Sequence, residues 1–242
     1  MRLHVIEHVT FETPALIGEW ARERGHELTS SVASSEEYPD CEEIDFLVVL
    51  GGPMDADDEV TNPWLHTEKH YIAQCIATGH IVLGVCLGAQ IIAEVLGGRV
   101  RRNHEREIGW YAVHKTEFAD SEPLFVGWPE YFVAGQWHGD TFDLPGGLEP
   151  LYSSEACANQ AFVFDRRVVG LQFHLEWTEE SLAQLVDACR AELNGGALWV
   201  MSASELVDEA PERIAANKEL LFQLLDDMTA EGASSAPAVL AP

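Results

Sequence analysis

Short apolar runs alternate with amphipathic stretches along the first third of the chain. Leu3 to Val9 and His26 to Ala33 have the length and composition of strands, and Phe46 to Leu50 and Ile81 to Val85 are uniformly apolar. Uniformly apolar runs of this length are typical of strands that are buried on both faces of a parallel sheet. The stretches between the strands predict helices over residues 14–24, 62–78 and 87–96.

Residues at the predicted helix ends support these assignments. Gly25 and Gly79 suit the position that follows the last residue of a helix. Asn62 and Pro63 suit the N-cap and the first helical position of the second helix. This part of the chain therefore predicts parallel strands with helices on both faces of the sheet.

The later part of the chain has a different pattern. Residues 98–103, 109–116 and 131–137 alternate or carry aromatic side chains between short polar turns, which predicts the strands of an antiparallel extension. Val168 to Phe173 returns to the buried-strand type, and a further helix is predicted to begin at Thr178. The predicted fold class is α/β, with a doubly wound and mostly parallel sheet.

The pattern predicts a single domain over residues 1–228. Its last element is an amphipathic helix that begins at Ala203 or Pro211 and ends near Met228. Residues 229–242 are mostly small and include proline, so we expect a disordered tail there.

The charge balance restricts the classes of partner. The chain has 41 acidic and 14 basic residues, a net charge of −27. Such a surface repels nucleic acid and anionic membranes, so we expect neither as a partner. Because the acidic residues are spread along the chain, we interpret them as adaptation to high intracellular salt rather than as a selective docking surface.

Other features of the composition concern location and cofactors. No apolar run approaches the roughly 18 residues of a membrane-spanning helix, and no leader-like pattern is apparent, so we expect a cytoplasmic protein. The five cysteines are odd in number and form no CxxC pair, which favours neither disulfides nor a zinc site. We expect no metal and no cofactor.

Cys86 is the strongest candidate for a nucleophile. It directly follows a buried strand, helical sequence begins at once, and Gly84 and Gly88 lie two residues to either side. This is the pattern of a strained strand-to-helix turn that lifts a nucleophile clear of the sheet. The helix N-terminus also predicts a lowered pKa for the thiol, because the helix dipole favours thiolate.

Two histidines could act as the base that a cysteine nucleophile requires. His174 ends the buried strand, and Glu176 lies on the same side of an extended backbone. His138 also ends a strand and has Asp140 at the same spacing, so spacing alone does not separate the two.

Three motifs together resemble the class I glutamine amidotransferases, and in particular the glutaminase domain of GMP synthetase. They are Leu50-Gly-Gly-Pro53, Gly84-Val-Cys-Leu-Gly-Ala-Gln90 and Gln172-Phe-His-Leu-Glu176. The resemblance covers about Phe46 to Trp177 and implies a flavodoxin-like fold. Leu175 stands where family members commonly have proline, and Ala89 stands where related members often have methionine.

The resemblance implies a role for each matching residue. Cys86 would be the nucleophile, His174 the acid and base, and Glu176 the residue that orients the imidazole. The oxyanion hole would be formed by the backbone N–H groups of Gly52 and Leu87. The amino-acid end of the substrate, L-glutamine, would be bound by residues of the pocket wall, namely Gln90, His138, Gly139 and Asp140.

The resemblance also implies that the ammonia passes to a synthetase, which we expect to be a separate subunit. Three alternatives remain open at this point. The same three residues could serve a γ-glutamyl hydrolase or peptidase, or they could belong to a glutamine-binding regulatory subunit. A redox or stress protein of the flavodoxin-like superfamily would also have a cysteine at this turn, but it would not need the His174–Glu176 pair.

Overall fold

A computed structural model describes residues 1–193 and 196–232, in which nine strands form one sheet and five α-helices pack against it. The strands are β1 (Arg2–Glu7), β2 (Glu27–Val32), β3 (Phe46–Val49), β4 (Ile81–Val85), β5 (Arg99–Lys115), β6 (Tyr131–Asp143), β7 (Tyr152–Ser153), β8 (Ala161–Phe164) and β9 (Val168–Leu171). The helices are α1 (Ala15–Glu23), α2 (Trp64–Ala77), α3 (Leu87–Val95), α4 (Glu179–Ala188) and α5 (Ala203–Gly232). None of these helices is long and apolar enough to cross a membrane.

One half of the sheet is parallel, as the alternation of strands and helices predicts. Its strands lie in the order β2-β1-β3-β4-β9, and every neighbouring pair is parallel. The uniformly apolar strands β3, β4 and β9 are buried along their whole length. The prediction of a doubly wound, mostly parallel core is confirmed.

The other half is the predicted antiparallel extension, with some differences in its strands. The order continues through β8, β7 and β5 to β6, and these pairs are antiparallel. Residues 98–103 and 109–116 belong to one strand, β5, rather than to two. The register against β6 shifts between Arg102 and Glu107, and this irregularity interrupts the alternation that the sequence pattern depends on. The short strands β7 and β8 were not predicted.

Helices cover both faces of the sheet, as predicted. On one face, α1 and α5 pack over a core that includes Trp20, Phe46 and Leu224. On the other face, α2 and α3 pack over Ile72, Val82 and their neighbours. A smaller cluster joins α4 to the start of α5.

The last helix is longer than the pattern predicts. It begins at Ala203, the earlier of the two predicted starts, and continues past Pro211 and Met228 to Gly232. The remaining residues of the predicted tail, 233–242, lie outside the described residues.

Two glycines bring α3 unusually close to the sheet. A Cβ atom on Gly88 would collide with the backbone carbonyl of Val49 in β3, and one on Gly84 would lie 2.6 Å from the backbone of Gly88. A side chain at either position would therefore push the helix away from the strands that it covers.

This close approach predicts opposite effects of two glycine-to-alanine substitutions. Gly88→Ala should lower the free energy of unfolding by about 1–3 kcal/mol, because the packed backbone must move. Gly18→Ala should raise it by about 0.5–1 kcal/mol, since this position in α1 meets only the Pro14 ring, at 3.8 Å. Urea denaturation followed by circular dichroism measures both. A Gly88→Ala protein as stable as the wild type would contradict the close packing.

Candidate active site

The candidate residues converge at the carboxyl edge of the parallel strands. Gly51 and Gly52 follow β3, Cys86 follows β4, and His174 follows β9. These three strands are direct neighbours in the sheet. Crevices at this edge are where open α/β sheets bind their ligands.

Cys86 has the strained backbone that the sequence pattern predicts. It is the N-cap of α3, with φ 52° and ψ −108°. A non-glycine residue in such a conformation costs on the order of 1–3 kcal/mol and is retained where the surroundings fix it. Its N–H donates to the carbonyl of Leu171 at 2.7 Å, and its Sγ lies 3.6 Å from the carbonyl oxygen of Trp137.

His174 is held in place from several sides. Its Nδ1 lies 2.6 Å from Oε1 of Glu176, and both side chains are buried. Its backbone exchanges two hydrogen bonds with Gly135 of β6, and the ring of Trp177 stacks on the imidazole at 4.5 Å. Nε2 makes no hydrogen bond to the residues that the structure describes. This nitrogen remains available to a reacting group.

The electrostatics of Cys86 and His174 are coupled. Burial raises the pKa of the Cys86 thiol, and the neighbouring imidazole opposes this effect only in part. Burial alone would lower the pKa of His174, but Glu176 and the thiol raise it well above its usual value. The predicted lowering of the Cys86 pKa is therefore wrong for this structure, because the thiol is buried as well as placed at a helix N-terminus.

The turn that carries Gly51 and Gly52 is fixed by a buried histidine. Nδ1 of His8 donates to the carbonyl of Gly51 at 3.0 Å, and Nε2 lies 3.0 Å from a carboxylate oxygen of Glu68. Both side chains of this ion pair are fully buried. Burial lowers the pKa of His8, but Glu68 and the carbonyl of Gly51 raise it by a larger amount, so the net shift of the pKa is upward.

Two backbone donors lie beside Cys86. The N–H groups of Gly52 and Leu87 donate to no partner within the described part of the chain. The two residues are in contact, since a Cβ on Gly52 would lie 2.9 Å from the Leu87 side chain. Free N–H groups in such a position can stabilise a negatively charged oxygen.

A cleft of about 200 Å³ opens over Cys86. All four residues predicted to bind substrate line it, namely Gln90, His138, Gly139 and Asp140. The side-chain amide of Gln90 donates to Gln172 at 3.1 Å, and that of Gln172 lies 3.7 Å from the sulfur of Cys86.

Arginine side chains from β5 reach the mouth of the cleft. Arg102 lies 3.1 Å from the carboxylate of Asp140, and Arg106 lies 3.2 Å from that of Glu192. Burial raises the pKa of Asp140, which Arg102 opposes and the nearby Asp55 reinforces.

His138, the rival candidate for the base, lies in the cleft wall between a backbone carbonyl and a carboxylate. Nδ1 donates to the carbonyl of Asp140 at 2.9 Å, and Nε2 lies 3.3 Å from a carboxylate oxygen of Glu107. The side chain is 1% exposed. In both histidines Nε2 makes no hydrogen bond to the described residues, but Nδ1 of His174 is oriented by a carboxylate, whereas Nδ1 of His138 meets a backbone carbonyl.

Several residues of the site carry no recognisable signal in the sequence. The cleft brings together Glu12, Arg102 and Arg106 with Cys86. Trp177 lies three residues after His174, and nothing in a local pattern indicates that its ring stacks on that imidazole. No group of three or more potential metal ligands is present among the described residues.

Known proteins of one family resemble this chain over most of its length. The family model described as glutamine amidotransferase class-I matches residues 17–186. The glutamine amidotransferase-like protein YfeJ of Salmonella typhimurium is 32% identical over 236 residues, which cover 95% of this chain and 98% of that protein.

Two further similarities concern a longer enzyme and a solved structure. A glutamine-hydrolysing GMP synthase of Thermomicrobium roseum is 34% identical over 157 residues, which are 60% of this chain but only 28% of the synthase. A crystal structure of a glutamine amidotransferase from Thermotoga maritima superposes with a TM-score of 0.86 at 33% identity and covers 94% of this chain and 97% of that one.

The buried His8–Glu68 pair predicts a large loss of stability when it is broken. Glu68→Gln should lower the free energy of unfolding by about 3–5 kcal/mol, because it leaves the His8 charge uncompensated. Arg101→Gln breaks an exposed pair with Asp143 and should cost at most about 1 kcal/mol. Chemical denaturation of the two variants compares them directly, and equal losses would contradict a structural role for the buried pair.

The same pair predicts a dependence on pH. The pKa of His8 is raised on folding, so its stabilising effect is fully present below the usual histidine pKa and is lost as the pH rises through the raised value. The difference in stability between the wild type and Glu68→Gln should therefore narrow as the pH rises through that range.

Proposed function

The chain belongs to the class I glutamine amidotransferase family, and we propose that it releases ammonia from the side-chain amide of L-glutamine through a thioester on Cys86. One observation carries this proposal. Cys86, a strained residue at the N-terminus of α3, lies at the same sheet edge as the imidazole of His174. Nδ1 of this imidazole is fixed by Glu176 at 2.6 Å. A nucleophile, a base and a group that orients the base are the parts that acyl transfer requires.

The first half-reaction forms the thioester. Because burial disfavours a free thiolate at Cys86, the proton of the thiol passes to Nε2 of His174 as the sulfur attacks the amide carbon. Part of the rise in the imidazole pKa comes from Cys86 itself, so the imidazole holds this proton as negative charge develops on the sulfur and then donates it to the amide nitrogen. The C–N bond breaks, and ammonia leaves.

The second half-reaction hydrolyses the thioester. Water adds to the acyl carbon while His174 accepts its proton, and the C–S bond then breaks to release glutamate and the thiol. In both halves the negative oxygen would be stabilised by the N–H groups of Gly52 and Leu87, which lack partners within the described residues.

The amino-acid end of glutamine is proposed to lie along the cleft wall. Asp140 would supply a negative charge for the α-ammonium group. The backbone of Gly139, between Asp140 and His138 in the chain, lines the cleft beside it. Gln90 lines the same cleft, and its side chain is fixed by its hydrogen bond to Gln172.

Ammonia is proposed to pass to an acceptor enzyme on a separate chain. The similarity to GMP synthase supports this step, because the matched segment is 28% of a longer protein whose name describes it as glutamine-hydrolysing. The relatives reported above do not favour a γ-glutamyl hydrolase or a regulatory subunit.

Loss of the sulfur should abolish turnover. Cys86→Ala is expected to release no ammonia from L-glutamine at high KCl concentration, whereas Cys189→Ala, which removes the other thiol that lines the cleft, should retain the activity of the wild type. Coupled assays of glutamate and ammonia measure this, with labelling of Cys86 by an electrophilic glutamine analogue. A wild-type protein that neither turns over glutamine nor becomes labelled would contradict the proposed function.

Removal of the charge at Glu176 should lower the pKa of His174. Glu176→Gln deletes the charge that most strongly raises this pKa, so the imidazole should titrate at lower pH and kcat should fall by about 10²- to 10⁴-fold. NMR titration of the histidine Cε1–H signals measures the shift. The matched control is Glu180→Gln, an exposed carboxylate on α4, which should change neither quantity. An unchanged His174 titration in Glu176→Gln would contradict the assignment.

A further inference from the structure

A carboxylate that plays no part in the steps above reaches into the same cleft. Glu12 lies between β1 and α1 and lines the cleft together with Cys86. It also borders a small adjacent cavity formed by Glu176 and Trp177. The side chain therefore lies between the cleft and the residues that hold the imidazole.

The position of Glu12 relative to His174 follows from their contacts with Gly51. A Cβ atom on Gly51 would collide with Oε2 of Glu12 and would lie 3.5 Å from Cε1 of His174. The carboxylate and the edge of the imidazole thus pack against the same side of one glycine. Cε1 lies between Nδ1, which is held by Glu176, and Nε2, which donates the proton to the leaving group, so the contact at Gly51 is one bond from either nitrogen.

No donor among the described residues pairs with the carboxylate of Glu12. It makes no hydrogen bond or ion pair with the residues that the structure describes. Burial raises its pKa, His174 and His8 favour its charged form, and Glu176 and Glu192 oppose it. Glu12 is partly buried, so its carboxylate keeps limited access to water and can accept a hydrogen bond from a bound molecule that displaces this water.

The amide nitrogen of the substrate is the donor that the reaction places nearby. In the tetrahedral intermediate this nitrogen must lie within hydrogen-bond distance of Nε2 of His174. It gains a proton and a positive charge before the C–N bond breaks, and it then carries three N–H groups. A carboxylate beside it would accept one of them and stabilise the charge.

We propose that Glu12 receives the leaving amine, accepting a hydrogen bond from the amide nitrogen as His174 protonates it. Glu12 is then a catalytic residue that selects nitrogen leaving groups over oxygen leaving groups. The inference rests on the proposed thioester chemistry and adds the recognition of the group that departs. An ester has no N–H at its leaving atom and gains nothing from the carboxylate.

Two substrates with the same γ-glutamyl group test this selection. L-glutamine releases ammonia and the γ-methyl ester of L-glutamate releases methanol, so single-turnover rates of the two report on the leaving group alone. In Glu12→Gln, the rate with glutamine should fall about 10- to 100-fold, as expected for loss of a charged hydrogen bond. The rate with the ester should stay within about threefold of the wild type. Glu12→Asp, which keeps the charge, should recover part of the glutamine rate.

A second carboxylate of the cleft provides the matched control. Glu192 is paired with Arg106, so Glu192→Gln should leave the ratio of the glutamine rate to the ester rate unchanged. Equal losses on both substrates in Glu12→Gln, or no loss on either, would overturn the inference and leave the proposed function intact. If the wild type turns over neither substrate in a Cys86-dependent manner, the proposed function fails, and the inference fails with it.

Discussion

The close packing of α3 against β3 and β4 is the constraint on which the site depends. Only glycine fits at positions 84 and 88, because any side chain would meet backbone atoms of the neighbouring element. The helix therefore begins directly at the end of the strand, and Cys86 must take a positive φ angle to connect the two. This strained geometry places Cys86 at the cleft, and the first N–H of the helix donates to no partner within the described residues.

The imidazole that faces this sulfur is fixed by contacts from distant parts of the chain. Glu176 is local, but Gly135 belongs to the antiparallel extension, and a larger residue there would collide with the ring of Trp177. The extension thus supports the parallel core, because it supplies the surface against which His174 and its stacking partner are held.

The sequence allows the local features of the site to be predicted, and it fails for the features that depend on tertiary packing. The turn at Cys86 and the His174–Glu176 pair each lie within a few residues, so their patterns are readable. Glu12 comes from a loop that gives no signal of where its carboxylate points. The direction of the Cys86 pKa shift was missed because burial is a property of the whole fold. The pattern predicts two strands where the structure has the single strand β5, because the irregular register against β6 interrupts the alternation of side chains.

The packing of α5 against α1 has a consequence for how the chain is made. The indole of Trp20 in α1 donates to Asp226 in α5, which lies 206 residues later in the chain. Lys218 of α5 also pairs with Glu19 of α1. At ordinary rates of translation, α1 leaves the ribosome on the order of 10–40 s before α5 exists. During that interval the apolar face of α1, which includes Trp20, lacks the cover that α5 provides. Burial of this face is therefore completed only after the last helix has been made.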